Sequence, residues 1–278
     1  MTIHVLIPVF NRLSMTKRVL ECLRAQQVDE SLSLIVIDDG SSDGTGEFLS
    51  IQQDVHTLNG DGSLWWGGAI HLGLREVLKS GNSTDWVLLV NNDTQFPVDF
   101  IQHLLNAARS QAPAVIGSVV CNEGAPDQLL SIGPVLDVRQ LLVADKLLKA
   151  RSRNASNGPH TLNALSGRGT LYPLGAFRLA GMMRPTLFPH YLADYELSVR
   201  VSKAGFKLLV TEEAPILSAN EFGSTHQHTR LLTKFFSRGS PHYLPAVLAF
   251  WWVVSSPFER LTLFPRLIFK GLNRGLFP

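Results

Sequence analysis

Apolar positions in the first half of the chain follow two alternating rhythms. Short continuous runs rich in Val, Ile and Leu alternate with longer stretches in which apolar residues recur every three or four positions. The runs Ile3–Val9, Leu32–Ile37, Val55–Leu58, Trp86–Val90 and Ala114–Val120 predict strands. Between them Met15–Gln26, Thr45–Gln52, Gly67–Lys79 and Pro97–Ser110 predict helices, with Ser14 capping the first and Pro97 near the first turn of the last. Such alternation means βαβ units, a parallel sheet and right-handed crossovers. Residues 122–166 break the rhythm with Gly, Asn and Pro, and Lys149–Pro159 predicts a mobile surface loop. The pattern returns at Gly167–Leu174, at a helix near Asp194–Ala204 that Gly205 ends, and at a strand over Leu208–Val210.

Composition narrows the class. With 278 residues, 45% hydrophobic and 17% charged, the chain is long and apolar enough for a sizeable core. The net charge of +2 gives no general reason to expect nucleic acid as a partner. Its distribution is uneven. From Arg230 onward there are seven Lys/Arg and one acid, Glu259, so a basic, aromatic-rich tail follows an acidic body, and a boundary is expected near 225–240. Cys22 and Cys121 suit a reducing compartment without a disulfide framework. No secretory signal is visible, and the longest apolar stretch, Tyr243–Val254, falls short of the roughly 20 residues that span a bilayer and contains Pro245. These features predict a cytoplasmic protein with no conventional transmembrane helix.

Candidate chemistry sits where strands end. Leu34–Ile37 runs into Asp38 and Asp39 and then a Gly/Ser/Asp turn, and Trp86–Val90 runs into Asn91, Asn92 and Asp93. The carboxyl ends of parallel strands are where open α/β sheets bind ligands. Asp38 and Asp39 occupy successive positions and point to opposite faces, so Asp39 is read as facing the ligand, where a carboxylate accepts an imide N–H or ribose hydroxyls. A pair of turn-capping acids is the alternative. Asp93 beside amide oxygens suits Mg2+ or Mn2+ bridging a diphosphate, although an Asx turn explains the same residues. Asn11 and Arg12 close the first strand where a dinucleotide enzyme would carry a Gly-x-Gly-x-x-Gly turn; they either reach a nucleotide or simply begin a helix. The loop Asn59–Gly68 opens a helix, where glycines permit close backbone approach and Trp65 and Trp66 shield a nucleotide or sugar. Asp194 and Glu196 lie two apart near a helix start and point in different directions. His226 and His228 are candidate metal ligands or phosphate partners, or solvent-facing imidazoles.

Together, Ile7–Arg12, Ile37–Thr45, Asn91–Thr94 and Asp194–Arg200 with Gly205 resemble the nucleotide-sugar glycosyltransferases of family 2 over roughly residues 3–230. The Trp65–Gly68 loop is most similar to the rhamnosyltransferase-like branch, which builds cell-surface polysaccharides. The resemblance implies a GT-A fold, a mostly parallel nucleotide-binding α/β sheet flanked by helices over 1–230, with an amphipathic helical tail over 231–278. It implies inverting transfer of a sugar from a UDP or dTDP donor, rhamnose included, to a hydroxyl of a glycan or lipid-linked acceptor. Asp194 would be the catalytic base. Pro8, Phe10, Asn11, Arg12, Asp39, Gly67 and Asn92 would bind the nucleotide. Trp65, Trp66, Arg168, Gly169 and Glu196 would meet the acceptor and donor sugar, and Asp93, Asn91 and His226 would hold the metal. Two departures weaken the metal: Asn91 stands where many relatives have Asp, and Ala193 replaces the usual Glu.

The tail interleaves Phe235, Phe236, Trp251, Trp252, Phe258, Phe264 and Phe269 with basic residues. It reads either as a surface that grips anionic lipid at the cytoplasmic face of the inner membrane or as helices packed on their own domain or a homodimer partner. Two other functions fit the same sheet. One is a sugar nucleotidyltransferase, which needs a Gly-rich basic loop that Pro8–Arg12 does not supply. The other is a non-catalytic nucleotide-sugar-binding protein at the membrane.

Overall fold

The computed structural model describes residues 1–145, 159–218 and 231–274. Alternation along the strands sorts side chains into two layers. In β1 (Thr2–Val9), Ile3, Val5, Ile7 and Val9 join one core cluster while Leu6 joins the other. In β2 (Ser31–Asp38), Leu34 and Val36 face the first cluster and Ile35 and Ile37 the second. Two buried faces explain why these strands read as unbroken apolar runs. Each fully buried side chain of this kind contributes roughly 1.5–3 kcal/mol.

Helices cover both faces. α1 (Leu13–Arg24) lays Val19, Leu20 and Leu23 on one. After α2 (Thr45–Ser50), β3 (Val55–Asn59), α3 (Trp65–Ser80) and β4 (Trp86–Leu89), α4 (Phe100–Ser110) adds Phe100, Ile101, Leu104 and Leu105 to the same layer as α1. α3 buries Ala69, Ile70, Leu74 and Val77 on the opposite side. β5 (Ala114–Asn122) and β6 (Ala125–Ser131) follow, then a separate hairpin of β7 (Val135–Asp137) and β8 (Leu142–Ala144), and β9 (His160–Thr161). β10 (Thr170–Pro173), α5 (Leu174–Ala180), α6 (Ala193–Lys203) and β11 (Lys207–Ser218) complete the sheet and its second helical layer.

The main sheet runs β3-β2-β1-β4-β10-β5-β11-β9. β1 pairs in parallel with β2 and with β4, and β2 with β3. The sheet therefore grows from β1 first in one direction and then in the other, and a ligand crevice is expected beyond the strand ends at that reversal. The parallel expectation holds for this half and for β5 with β11. It fails in between, because β10 inserts antiparallel to both β4 and β5, and β6 and β9 also pair antiparallel. The sheet is mixed.

Local boundaries shift for identifiable reasons. α1 starts at Leu13, whose N–H donates to the Asp43 carboxylate at 2.8 Å, so a distant acid, and not Ser14, holds its first turn. α4 begins only at Phe100; Pro97 lies in the preceding turn, where its carbonyl accepts from the Phe100 N–H and the Gln26 side chain. The irregular middle holds four short strands, while most of the loop expected at Lys149–Pro159 lies outside the described residues.

At the C-terminal end come α7 (Leu231–Phe236), α8 (Leu244–Val254), α9 (Pro257–Leu261) and α10 (Leu263–Arg274). α8 is the long apolar stretch, with Pro245 tolerated in its first turn. Its Ala246, Val247, Phe250 and Trp251 are buried in the same cluster as α3, α5 and α6. No helix of the described residues is long and apolar enough to cross a membrane.

Candidate active site

A cavity of about 820 Å³ opens beyond the carboxyl ends of β1, β2 and β4. Asp39, Asp93 and Asp194, far apart in sequence, all line it. So do Pro8, Phe10 and Arg12 from the end of β1, Asn91 and Asn92 from the end of β4, and Trp65, Trp66 and Arg168. The backbone is unusual at this rim: Arg12, Trp65 and Leu192 take positive φ values of 69°, 56° and 69°. Non-glycine residues held in that region collect at ligand sites.

Asp39 is committed to the fold as much as to the cavity. Its carboxylate accepts backbone N–H groups from Gly62 at 2.9 Å, Leu64 at 3.2 Å and Trp65 at 3.0 Å. Those bonds occupy three of its roughly four acceptor positions and shape the loop that starts α3. Asp38 instead accepts from the Ser41 N–H at 3.0 Å, bracing the turn. Trp65 stands edge-on to His190 at 5.8 Å, and Trp66 donates its indole N–H to the Asn91 side-chain oxygen at 2.9 Å.

Asp194 sits at the start of α6. It accepts the Gly167 N–H at 2.8 Å and the Tyr195 N–H at 2.9 Å. Burial pushes its carboxyl up to about 6, against the pull of these donors and of Arg168. A buried acid titrating near neutrality is suited to taking up a proton. Burial also raises the Tyr195 phenol, and the Asp194 charge adds to the shift.

Asp93 carries the case for a cation. One carboxylate oxygen lies 3.4 Å from the Arg12 guanidinium, and the other is buried without a hydrogen-bond partner. An orphaned anionic oxygen in a cavity wall fits an oxygen-ligated divalent ion, which needs only one or two protein carboxylates when phosphates complete its shell. Asn91 is a poorer candidate than its spacing implies, since Trp66 takes one lone pair of its amide oxygen. Among the described residues no group of three or more His, Cys, Asp or Glu is arranged to hold a metal, and His226 and His228 lie outside the described residues.

Four expected site residues do other work. Asn11 accepts the Ser42 N–H at 2.9 Å and ties the end of β1 to the turn after β2. Gly67 is required by packing: a Cβ there would strike the Phe188 and Pro189 carbonyls, and its N–H donates to the latter at 2.8 Å. Gly169, at φ 66°, is wedged against Ile216 and Phe100. Glu196 is fully buried and faces away from the cavity, accepting Arg200 at 2.7 and 2.9 Å and Arg184 at 3.2 Å. Arg200 in turn donates to the carbonyls of Gly181 and Met182, so the pair ties α6 to the segment after α5.

Other lining residues carried no signal in the sequence. Asp145 accepts from Ser131 Oγ and the N–H groups of Ile132 and Gly133, holding the β6–β7 turn against the cavity. His190, Tyr191 and Tyr195 complete the far wall. Of these four, Tyr195 alone stands next to residues already singled out, Asp194 and Glu196.

Known proteins share this fold. Residues 4–154, more than half of the chain, match the model of glycosyl transferase family 2. Among solved structures, GalNAc-T7 with UDP, GalNAc and Mn2+ superposes with a TM-score of 0.64 at 15% identity, covering 78% of this chain and 44% of that one. TarS of S. aureus superposes at 0.58 and 13% identity, covering 79% of this chain and 37% of that one. A 1–349 form of TarS in complex with UDP gives 0.57 and 13%, with coverages of 79% and 60%. At such identities the likeness is one of fold, the nucleotide-binding α/β GT-A fold, and the chain spans less than two thirds of each of these proteins. A search of curated proteins found no sequence match. The matched segment contains β1, β2 and β4, the strands whose ends carry Arg12, Asp39 and Asp93, and the chain accordingly belongs to glycosyl transferase family 2.

Proposed function

We propose that the chain moves a sugar from a UDP- or dTDP-linked donor to a hydroxyl of a glycan or lipid-linked acceptor, with inversion at the anomeric carbon. Such a reaction belongs to cell-surface polysaccharide synthesis, and rhamnose is a donor sugar in keeping with the Trp65–Gly68 loop. The observation that carries the reading is the convergence of Asp39, Asp93 and Asp194 on one cavity, where burial pushes the Asp194 carboxyl up to about 6.

In this reading the acceptor hydroxyl lies against Asp194. As its oxygen bonds to the anomeric carbon, the bond from that carbon to the donor phosphate oxygen breaks, and the hydroxyl proton passes to the Asp194 carboxylate. A carboxylate of raised pKa accepts that proton more readily than an ordinary one and is still ionised in most molecules at neutral pH. The donor base reaches the remaining acceptor position of Asp39, and Arg12 and Arg168 face the diphosphate and the sugar. Asp93, with Asn91 in support, would hold Mg2+ or Mn2+, which when bound supplies positive charge against the diphosphate leaving group.

Asp194→Asn is expected to lower turnover by about 10²–10⁴-fold, the usual worth of a general base, while UDP affinity survives. Near-wild-type transfer by that variant would remove Asp194 from the chemistry. Calorimetry of UDP and dTDP binding, with and without Mn2+, tests the donor side. Binding should tighten with the ion if Asp93 holds it. Nucleotide binding without transfer or hydrolysis of any nucleotide sugar would mark a binding protein instead.

A further inference from the structure

Among the described residues, the last helices expose an apolar surface that no other element covers. Phe258, Leu261, Phe264, Ile268 and Phe269 are between 53% and 85% exposed, and Trp252 beside them is 45% exposed. On α10, Leu263 and Leu267 are buried in the core, while Phe264 and Ile268, one turn apart, and Phe269 face outward. The helix is therefore apolar on two sides, one packed on the core and one left exposed by the described residues.

Cations mark the seam between the two sides. Arg266 donates to the carbonyls of Val138 and Arg139, and Lys270 donates to that of Leu141. These partners are neutral carbonyls, and Arg266 also lies close enough to Glu259 to help hold that carboxyl below its ordinary value. Arg260 lies over the Trp252 ring at 5.1 Å. The one acid from Arg230 onward, Glu259, is engaged at the start of α9, where it accepts the Ser256 N–H at 2.8 Å.

We propose that this face is an interfacial docking surface for an anionic phospholipid bilayer. Its exposed aromatic and aliphatic side chains enter the boundary between headgroups and acyl chains, and the basic excess of the segment, seven Lys/Arg against Glu259 from Arg230 onward, draws it to lipid phosphates. A second copy of the chain fits less well, because a two-fold contact through the same face would set one basic strip against another. The location has a consequence for the cavity. The carbonyls gripped by Arg266 and Lys270 immediately precede β8, whose Val143 and Ala144 line the cavity, and Gly239 and Pro241, ahead of α8, line it too. A docked face thus brings the cavity to the bilayer surface, where a lipid-linked acceptor resides. That last step rests on the glycosyl-transfer reading, whereas the docking itself does not.

Co-sedimentation of the full chain with vesicles tests the proposal independently of catalysis. The chain should pellet with phosphatidylglycerol-containing vesicles, pellet far less with pure phosphatidylcholine, and be released by raised salt. The double variant Phe258→Ser, Phe269→Ser removes two side chains outside the core and should weaken binding by more than about tenfold. Its near-ultraviolet circular dichroism and UDP affinity should be unchanged, which separates loss of docking from loss of fold or of donor binding. Wild-type protein that stays in the supernatant, a double variant that binds vesicles as before, or a lipid-free dimer that the double variant dissociates would each overturn the proposal.

Discussion

At the residue scale, the buried Asp194 differs from an ordinary carboxyl. Its folded pKa of about 6 lies above the ordinary 3.8, so the folded state holds the proton more tightly than the unfolded chain does. The stability this contributes is complete below about pH 4 and is lost as the pH rises through 6, a change of at most about 3 kcal/mol. Asp194→Asn cannot titrate. Relative to wild type, the variant should therefore gain stability between pH 4 and pH 7, read as a difference in Tm at each pH. A difference that stays constant would show that burial does not raise the wild-type carboxyl. Asp39 contrasts with it. Three backbone donors surround that carboxylate, and its first effect is to set the loop from which α3 and the two tryptophans project.

Elements explain how these residues are aimed. While Asp194 on α6 accepts the Gly167 N–H at the cavity, Glu196 and Arg200 help to pin the helix from another side. Removing one partner of a buried pair leaves the other charged without compensation, a loss of about 3–5 kcal/mol. Glu196→Ala should fall in that range by urea denaturation, with no change in the preferred donor sugar. Altered sugar preference without loss of stability would return Glu196 to the substrate. Glycine acts at this scale as well. With no Cβ, Gly67 lets α3 approach the Phe188–Pro189 backbone and so sets Trp65 against His190.

Across the whole molecule, the C-terminal helices have two roles that share one segment. Trp251 is buried in the core cluster that also holds α3 and α6, whereas its neighbour Trp252 is turned outward. Trp251→Ala should cost about 3–5 kcal/mol and lower the midpoint of a single cooperative transition. An early transition confined to part of the signal would instead mark the C-terminal helices as a separate unit. Because α8 belongs to this core, deleting residues 240–278 would test folding before it tested lipid binding.

Much of this arrangement was present in local patterns. Unbroken apolar runs named β1, β2, β4 and β5, and the polar residues that stop them named Arg12, Asp39 and Asp93, because the end of a buried strand must meet water or a ligand. Periodicity reports which face a residue occupies, not what lies across from it. For that reason the antiparallel insertion of β10, the hold of Trp66 on Asn91, the burial of Glu196 and the arrival of Asp145 and His190 in the cavity wall had no local signature. Each depends on segments brought together from distant parts of the chain. The sequence by itself determined the layers, the strand ends and the acids placed there. Tertiary packing alone decided which of those acids stay free for a ligand, since a carboxylate's remaining capacity depends on the donors that folding places around it.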